Sequence, residues 1–210
     1  MLREFFVIAL AHQLAVMSPG PDFAIVSKIA VRNGRSAGRS ASLGIALGIA
    51  THICVSLLGF AALLKSNQAL FEAVRITGAL YLGYIAYKSI KAGLQLRINS
   101  QPKDKIGVPI LSRRGALYQG YITNITNPKA TLFFLTIFTQ VVSISTPVVV
   151  KFAYGLEMVL ATYLWFWLVS ASVNITKVRR VYEEQAWKIE IAFGVVLLLI
   201  ACLVLKEVIL

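Results

Sequence analysis

The sequence has few charged residues and very few acidic ones. Charged residues make up 14% of the 210 residues, whereas soluble domains contain about 25%. Asp and Glu together number 9 against 21 Lys and Arg, which gives a formal net charge of +12. With 58% hydrophobic residues and a mean hydropathy of +0.74, this composition excludes a disordered chain and argues against an ordinary soluble enzyme.

Cysteine is nearly absent as well. Cys54 and Cys202 both lie in apolar segments, so we interpret them as small buried hydrophobic residues, and a disulfide scaffold is excluded. Two histidines on different segments, without a Cys cluster, are a weak metal signal, so neither a bound metal nor another cofactor is expected.

Sequence patterns for ATP binding and for hydrolysis are also missing. There is no G-x-x-x-x-G-K-[ST] pattern, which argues against direct use of ATP. There is no G-x-S-x-G elbow, and Ser18 with His52 is the only obvious pair of nucleophile and base. We therefore do not expect an enzyme.

The sequence does contain long apolar segments. A bilayer core is crossed by a helix of about 20 residues, and six segments are predicted to reach that length: 5–27, 41–64, 68–87, 115–139, 148–173 and 188–205. The third and sixth are weaker and need flanking charged side chains to reach the interface. These segments predict an all-α membrane protein of six transmembrane helices, with one transmembrane domain over 1–210. We divide it into repeat one at about 1–95, a polar cytoplasmic linker at about 88–114, and repeat two at about 106–210.

The positive charges are distributed unevenly among the predicted loops. The loops after spans one, three and five hold fifteen of the 21 Lys and Arg residues. Basic loops of this kind face the cytoplasm, so both termini are predicted to be periplasmic. The excess of positive charge therefore reports orientation in the lipid bilayer, and no nucleic-acid partner is expected.

Spans one and four each contain a proline break beside a charged residue. The first reads Ser18-Pro19-Gly20-Pro21-Asp22 and the second reads Asn124-Ile125-Thr126-Asn127-Pro128-Lys129. An offset of 107 places Pro21 on Pro128 and Asp22 on Lys129. Because each half has three spans, the second half would be inverted relative to the first. Inverted repeats with matching broken helices are typical of transporters that bind substrate near the bilayer midplane.

Each break is expected to start a new half-helix inside the membrane. Ser18 and Asn127 are suitable N-caps, and proline suits the first helical position. The positive end of such a helix favours Asp22 as an anion. It does not favour Lys129, which therefore needs an anionic partner in the protein or in a ligand. Whether Asp22 and Lys129 pair directly or through a bridging molecule stays open.

Two further polar features have more than one interpretation. Gly44, Gly48, His52 and Ser56 follow one another at intervals of four on span two. Such a stripe serves close helix packing, either internally or in a homodimer, and His52 is either a packed neutral histidine or part of the site. Glu157 on span five is either a second protonatable group or an acid near the outer interface.

The segment from Ala11 to Phe23, with its Pro-Gly-Pro-Asp, resembles the first helix of the lysine exporter family of amino-acid efflux proteins. Within that family it is most similar to the threonine and homoserine exporters. Asn33-Gly34, the glycines of 44–48 and the Asn-Pro-Lys ending at Lys129 fit the same family. The resemblance implies amino-acid export driven by the proton motive force in a bacterial inner membrane.

The sequence thus predicts a secondary transporter that exports a small amino acid, threonine- or homoserine-like, by proton antiport. A metal-ion exporter of similar architecture is the alternative. The residues expected to bind substrate are Ser18, Gly20, Asp22, His52, Asn124, Asn127 and Lys129. Asp22 and Glu157 are the residues expected to couple protons.

Overall fold

The computed structural model describes residues 2–64, 68–98, 110–142, 145–172 and 175–209. In these ranges the chain forms seven helices and no strand. The helices are α1 (Leu2–Met17), α2 (Pro21–Leu64), α3 (Gln68–Ile98), α4 (Arg113–Ile125), α5 (Pro128–Gln140), α6 (Val148–Ser172) and α7 (Thr176–Ile209). Wherever the structure describes them, the six predicted spans are helical apart from the two proline breaks.

Both proline breaks are present. Span one is divided between α1, which ends at Met17, and α2, which begins at Pro21. Span four is divided between α4, which ends at Ile125, and α5, which begins at Pro128. Proline has no backbone donor and a fixed φ near the helical value, so it starts a helix readily and cannot lie within one without disrupting it.

Several helices extend beyond the predicted spans. The basic segment 28–40 was expected to be a loop, but it belongs to α2, which changes direction at Gly34 with φ 84°. The predicted linker is helical as far as Ile98, and α7 begins at Thr176, ahead of the predicted span. These boundaries were wrong because hydropathy measures the apolar thickness, whereas Lys, Arg and Glu are good helix formers that continue a helix into the headgroup region. Residues 99–109 of the linker lie outside the described ranges.

The helices pack in two main groups. Helix α2 lies against α4 and α6, and α3 lies against α7. Helix α5 contacts both α2 and α3, and α1 contacts α6 and α7. At Gly44 the α2 and α4 backbones come so close that a Cβ would lie 2.0 Å from the Leu117 carbonyl oxygen. The predicted packing role of this small-residue stripe is confirmed at that position.

The helices differ from soluble ones in what they expose. Four leucines at intervals of four along α6 are each more than half exposed: Leu156, Leu160, Leu164 and Leu168. Within the described residues, three segments have the length and hydropathy of a membrane span: Pro21–Gly59, Val148–Ser172 and Arg180–Lys206. Large exposed apolar faces on such helices are expected where lipid, not water, is the surrounding solvent.

The two cysteines correct one prediction. Cys54 and Cys202 are free, as expected, but both are exposed and not buried. An apolar segment contains lipid-facing as well as protein-facing positions, and hydropathy alone does not distinguish them.

Candidate functional site

The two helix breaks lie beside one small cavity. Its walls include Asp22 from the first break and Asn127 and Lys129 from the second, and its volume is about 40 Å³. Phe133 and Phe134 of α5 form an apolar side of the same cavity. Side chains more than 100 positions apart in the sequence thus line the same cavity.

Asp22 is held by amides from the second break. It lies in the first turn of α2, and its Oδ2 accepts hydrogen bonds from Asn124 Nδ2 at 2.8 Å and from Asn127 Nδ2 at 3.4 Å. Its other oxygen, Oδ1, is buried and has no hydrogen-bond partner among the described residues. One acceptor of a carboxylate that faces the cavity therefore stays open.

Asn124 is completely buried, and its position depends on Gly48. A Cβ at Gly48 would lie 2.5 Å from Asn124 Oδ1 and 2.8 Å from its Cβ, so only glycine leaves room for this amide. Asn124 Oδ1, like Asp22 Oδ1, is buried without a partner in the described part of the chain. Gly48 therefore packs against a group that contacts the site, which the sequence pattern alone did not indicate.

His52 lies behind Asn124, not on the cavity wall. Its Nε2 is 3.2 Å from the Asn124 carbonyl oxygen, which can only accept, so Nε2 is the protonated nitrogen. Its ring stacks on Phe134 with centroids 5.9 Å apart. These contacts make His52 a support for Asn124, and a direct contact with substrate is not part of this geometry.

Lys129 has the anionic partner that its position at a helix N-terminus requires. Its Nζ donates to Ser18 Oγ at 2.6 Å and lies 3.5 Å from Glu190 Oε1 on α7. Ser18 Oγ in turn donates to Glu190 Oε2, which links all three side chains. The Lys129 ammonium also lies 4.5 Å from the centre of the Phe193 ring. No salt bridge joins Asp22 to Lys129 in the described ranges, so the partner of Lys129 is Glu190.

The two expected N-caps behave differently. Asn127 caps α5 as predicted, because its Oδ1 accepts from the Lys129 backbone N–H at 3.0 Å. Ser18 does not cap α2. The Gly20 carbonyl accepts from Ala24 N at 2.9 Å, so Gly20 occupies the cap position. The Ser18 side chain is instead held between Lys129 and Glu190.

Glu190 is the site residue that sequence reasoning missed. It was treated as a flanking charge of span six because it comes just before a long uncharged segment. Its spacing contains a usable signal, since Phe193 and Leu197 follow at positions three and seven and both are fully buried. An acid on the buried face of an apolar helix is a functional hypothesis by default.

Tyr182 joins the extended start of α7 to the first break. Its hydroxyl donates to the Met17 carbonyl oxygen at 2.8 Å, and its ring stacks on Phe23 with centroids 4.1 Å apart. The Met17 carbonyl is at the end of α1, where helix carbonyls lack intrahelical partners. This contact satisfies one of those acceptors across the break.

Two other titratable side chains, Glu157 and His12, lie outside this cluster. Glu157 does not line the cavity; it is half-buried, and its Oε2 is buried without a partner among described residues. His12 does line the cavity, and its Nε2 lies 3.2 Å from Thr162 Oγ1. Of the predicted site residues, Asp22, Asn127 and Lys129 line the cavity, and Ser18 and Asn124 contact them directly.

Long apolar helices around a cavity that is lined by charged residues of both signs define a helical membrane protein of the transporter class. The chain matches the family described as LysE type translocator over residues 14–207, and it belongs to that family. It is therefore a translocator and not an enzyme.

Curated relatives extend over most of the chain. The threonine efflux protein of Salmonella typhi is 29% identical over 186 residues, which cover 89% of each chain. The threonine efflux protein of Escherichia coli K12 is 28% identical over the same share. The uncharacterised membrane protein YahN of Escherichia coli K12 is 28% identical over 82% of this chain and 75% of its own length. No solved structure matches the chain.

Proposed function

We propose that this protein exports a small amino acid, threonine- or homoserine-like, as a secondary transporter of the bacterial inner membrane. The observation that carries the proposal is the placement of Asp22 and Lys129 on one small cavity, each at the start of a half-helix. A free amino acid bears an ammonium and a carboxylate on the same carbon, so it presents both complementary charges to such a cavity. The names of the threonine efflux relatives support the same substrate class.

Asp22 holds the ammonium group in this proposal. Asp22 Oδ1 is a buried acceptor without a partner among the described residues, on a side chain that lines the cavity. An ammonium supplies three donors and no acceptor, and its positive charge complements the Asp22 carboxylate, whereas an anionic group would be repelled. The α2 N-terminus stabilises the ionised form of Asp22 while it binds a cation.

Lys129 holds the substrate carboxylate at the other side of the cavity. Lys129 and Asn127 both line the cavity, and the Asn127 side chain caps α5 by accepting from the Lys129 backbone N–H. A cavity of about 40 Å³ offers room for roughly three water-sized groups. A bulky substrate side chain would have to displace Phe133 or Phe134, and this supports a small amino acid.

The transport cycle uses the two halves of the chain as inverted repeats of three spans. The broken helices α1/α2 and α4/α5 occupy equivalent places at an offset of 107. Rocking of one repeat against the other would expose the cavity to each side in turn. The basic segments between the spans would face the cytoplasm, and both termini would then lie in the periplasm; the excess of Lys and Arg in these segments supports this orientation.

Proton antiport follows if Asp22 carries either a proton or the substrate ammonium, but never both. Asp22 has the place for this exchange, since it faces the cavity with one oxygen open. Glu157 is a second carboxyl in the membrane-spanning part of α6, and it would act away from the cavity if it takes part.

The metal-ion alternative has less support. Among the described residues, no group of three or more His, Cys, Asp or Glu side chains is arranged to hold a metal ion. The hydrogen-bonding neighbours of Asp22 are two amides, which suit an ammonium-bearing ligand.

Transport in proteoliposomes tests the proposal. Purified protein is reconstituted, a panel of labelled amino acids is loaded, and a proton gradient is imposed across the membrane. We expect efflux of threonine or homoserine that stops when the gradient is collapsed. Movement of divalent cations without movement of any amino acid would favour the alternative, and movement of neither would refute amino-acid export.

A further inference from the structure

The two charged residues of the site, Lys129 and Asp22, differ in whether their polar atoms already have partners. Asp22 lines the cavity and has one buried acceptor, Oδ1, without a partner among the described residues. The Lys129 ammonium, in contrast, already has partners, because it contacts Ser18, Glu190 and the Phe193 ring. A ligand ammonium can therefore be accepted directly, whereas a ligand carboxylate meets a lysine that is already paired.

We propose that Glu190 is an exchangeable counter-ion, which occupies Lys129 when the site is empty and gives way to the substrate carboxylate. This inference rests on the proposed function. Glu190 is a carboxylate like the one it would be replaced by, so it presents the same acceptor oxygens to the same ammonium. The Nζ to Oε1 distance of 3.5 Å is longer than the usual 2.7–2.9 Å of a charge-assisted hydrogen bond, which makes this contact the weaker link.

Ser18 contacts both Lys129 and Glu190, and this makes it feasible for the substrate carboxylate to replace Glu190. Its hydroxyl accepts from Lys129 and donates its only proton to Glu190. When Lys129 turns to the substrate, the Ser18–Glu190 hydrogen bond can persist, so the displaced carboxylate keeps a donor. The side chain of Glu190 is 6% exposed, and a buried carboxylate without any donor would be strongly unfavourable.

The counter-ion matters most in the step that returns the empty carrier. With Glu190 in place, Lys129 stays ion-paired while the empty carrier changes conformation. Without it, the Lys129 ammonium would be uncompensated during that step, and an unpaired charge is costly in a membrane interior. In the loaded carrier the substrate carboxylate pairs with Lys129, and the displaced Glu190 keeps the hydrogen bond from Ser18.

The test compares net efflux with exchange in proteoliposomes. Labelled L-threonine is the probe, and exchange is measured with unlabelled threonine on the other side. For Glu190→Gln we expect tighter threonine binding, by about five-fold or more, with slow net efflux and exchange close to wild type. Exchange uses only loaded carriers, so a merely structural defect would reduce both fluxes together.

Two further variants keep the outcome decisive. Glu184→Gln removes an exposed acid of the same helix, paired with Arg180 at 2.9 Å, and should leave binding and both fluxes unchanged. Glu190→Asp keeps the negative charge but moves it away from Lys129, because the side chain is one methylene shorter. It should give an intermediate loss of net efflux with exchange retained. This variant tests the proposal even if the glutamine variant does not insert into the membrane.

The possible failures are distinguishable. If wild-type protein moves no amino acid in either assay, the proposed function fails. If wild type transports threonine, but Glu190→Gln and Glu190→Asp either match it in net efflux or lose exchange in parallel with net efflux, the counter-ion role is overturned and export stands.

Discussion

The two helix breaks occupy equivalent places in the chain but are built differently. At the second break a side chain caps the new helix, since Asn127 accepts from the Lys129 N–H. At the first break the backbone of Gly20 takes the cap position, and the Ser18 hydroxyl is free to contact Lys129 and Glu190. The first break presents an anion, Asp22, and the second presents a cation.

The charged residue of each break is also held by side chains of the other break. The amides that hold Asp22 belong to the second break, and the hydroxyl that contacts Lys129 belongs to the first. The same kind of break can therefore present opposite charges in the two halves, because each break takes hydrogen-bond partners for its charged residue from the other break. The following predictions test how separate these two roles are, starting with the largest expected effect.

Asp22→Asn should abolish proton-coupled efflux and weaken binding of the substrate ammonium, by roughly 3 kcal/mol for the loss of a buried charge partner. Binding of threonine and of 3-hydroxybutyrate, which lacks the amino group, is measured by thermal shift. The variant should lose its preference between the two ligands while it retains membrane insertion. Efflux equal to wild type would refute the role of the first break.

Lys129→Ala should have the reciprocal effect, with a loss of roughly 2 kcal/mol in binding of carboxylate-bearing ligands. Here threonine is compared with threonine amide, which lacks the carboxylate. Lys188→Ala, an exposed lysine of α7, is the matched control for loss of a positive charge. If the variant still prefers threonine over its amide, the two breaks do not divide the charges as proposed.

Gly48→Ala should disturb both breaks through one residue, because the new methyl group meets Asn124. Overpacking of this kind costs about 1–3 kcal/mol and should lower both the unfolding temperature and threonine affinity. Gly83→Ala is the control, since a Cβ there meets nothing within 4 Å. Equal stability of the two variants would contradict the close contact.

Asn127→Ala should destabilise the second break by about 1 kcal/mol through loss of the cap. Asn127→Ser keeps a capping oxygen and should recover most of that loss in a thermal unfolding measurement. Ser18→Ala removes the residue that the sequence predicts as the cap of the first break and should cost no cap energy, because Gly20 occupies the cap position there. A serine variant no more stable than the alanine variant would mean that the cap is not what Asn127 contributes.

Tyr182→Phe should have the smallest effect and should act on the first break alone. It removes the hydrogen bond to the Met17 carbonyl, worth about 1 kcal/mol, while the ring can still stack on Phe23. Thermal unfolding is compared with that of Tyr84→Phe, an exposed tyrosine of α3. Equal unfolding temperatures would show that the carbonyl is satisfied in another way.

Much of the architecture was predictable because it depends on local properties. Hydropathy located apolar segments that are helical wherever the structure describes them, and prolines located both breaks, since a missing backbone donor acts at its own position. The same reasoning showed that Lys129 needs an anion. It misjudged helix lengths at 28–40 and 88–98, because polar residues can continue a helix beyond the apolar thickness.

By itself, then, the sequence determined that this is a helical membrane protein, that two of its spans are broken, and that charges of both signs lie at the breaks. Only the tertiary structure decided the partners: Glu190 for Lys129, Asn124 for Asp22, and Gly48 for the space that Asn124 fills. The reason is physical, because an ion pair or a hydrogen bond depends on distances of a few ångströms. Residues 61 or 102 positions apart acquire such distances only when their helices pack.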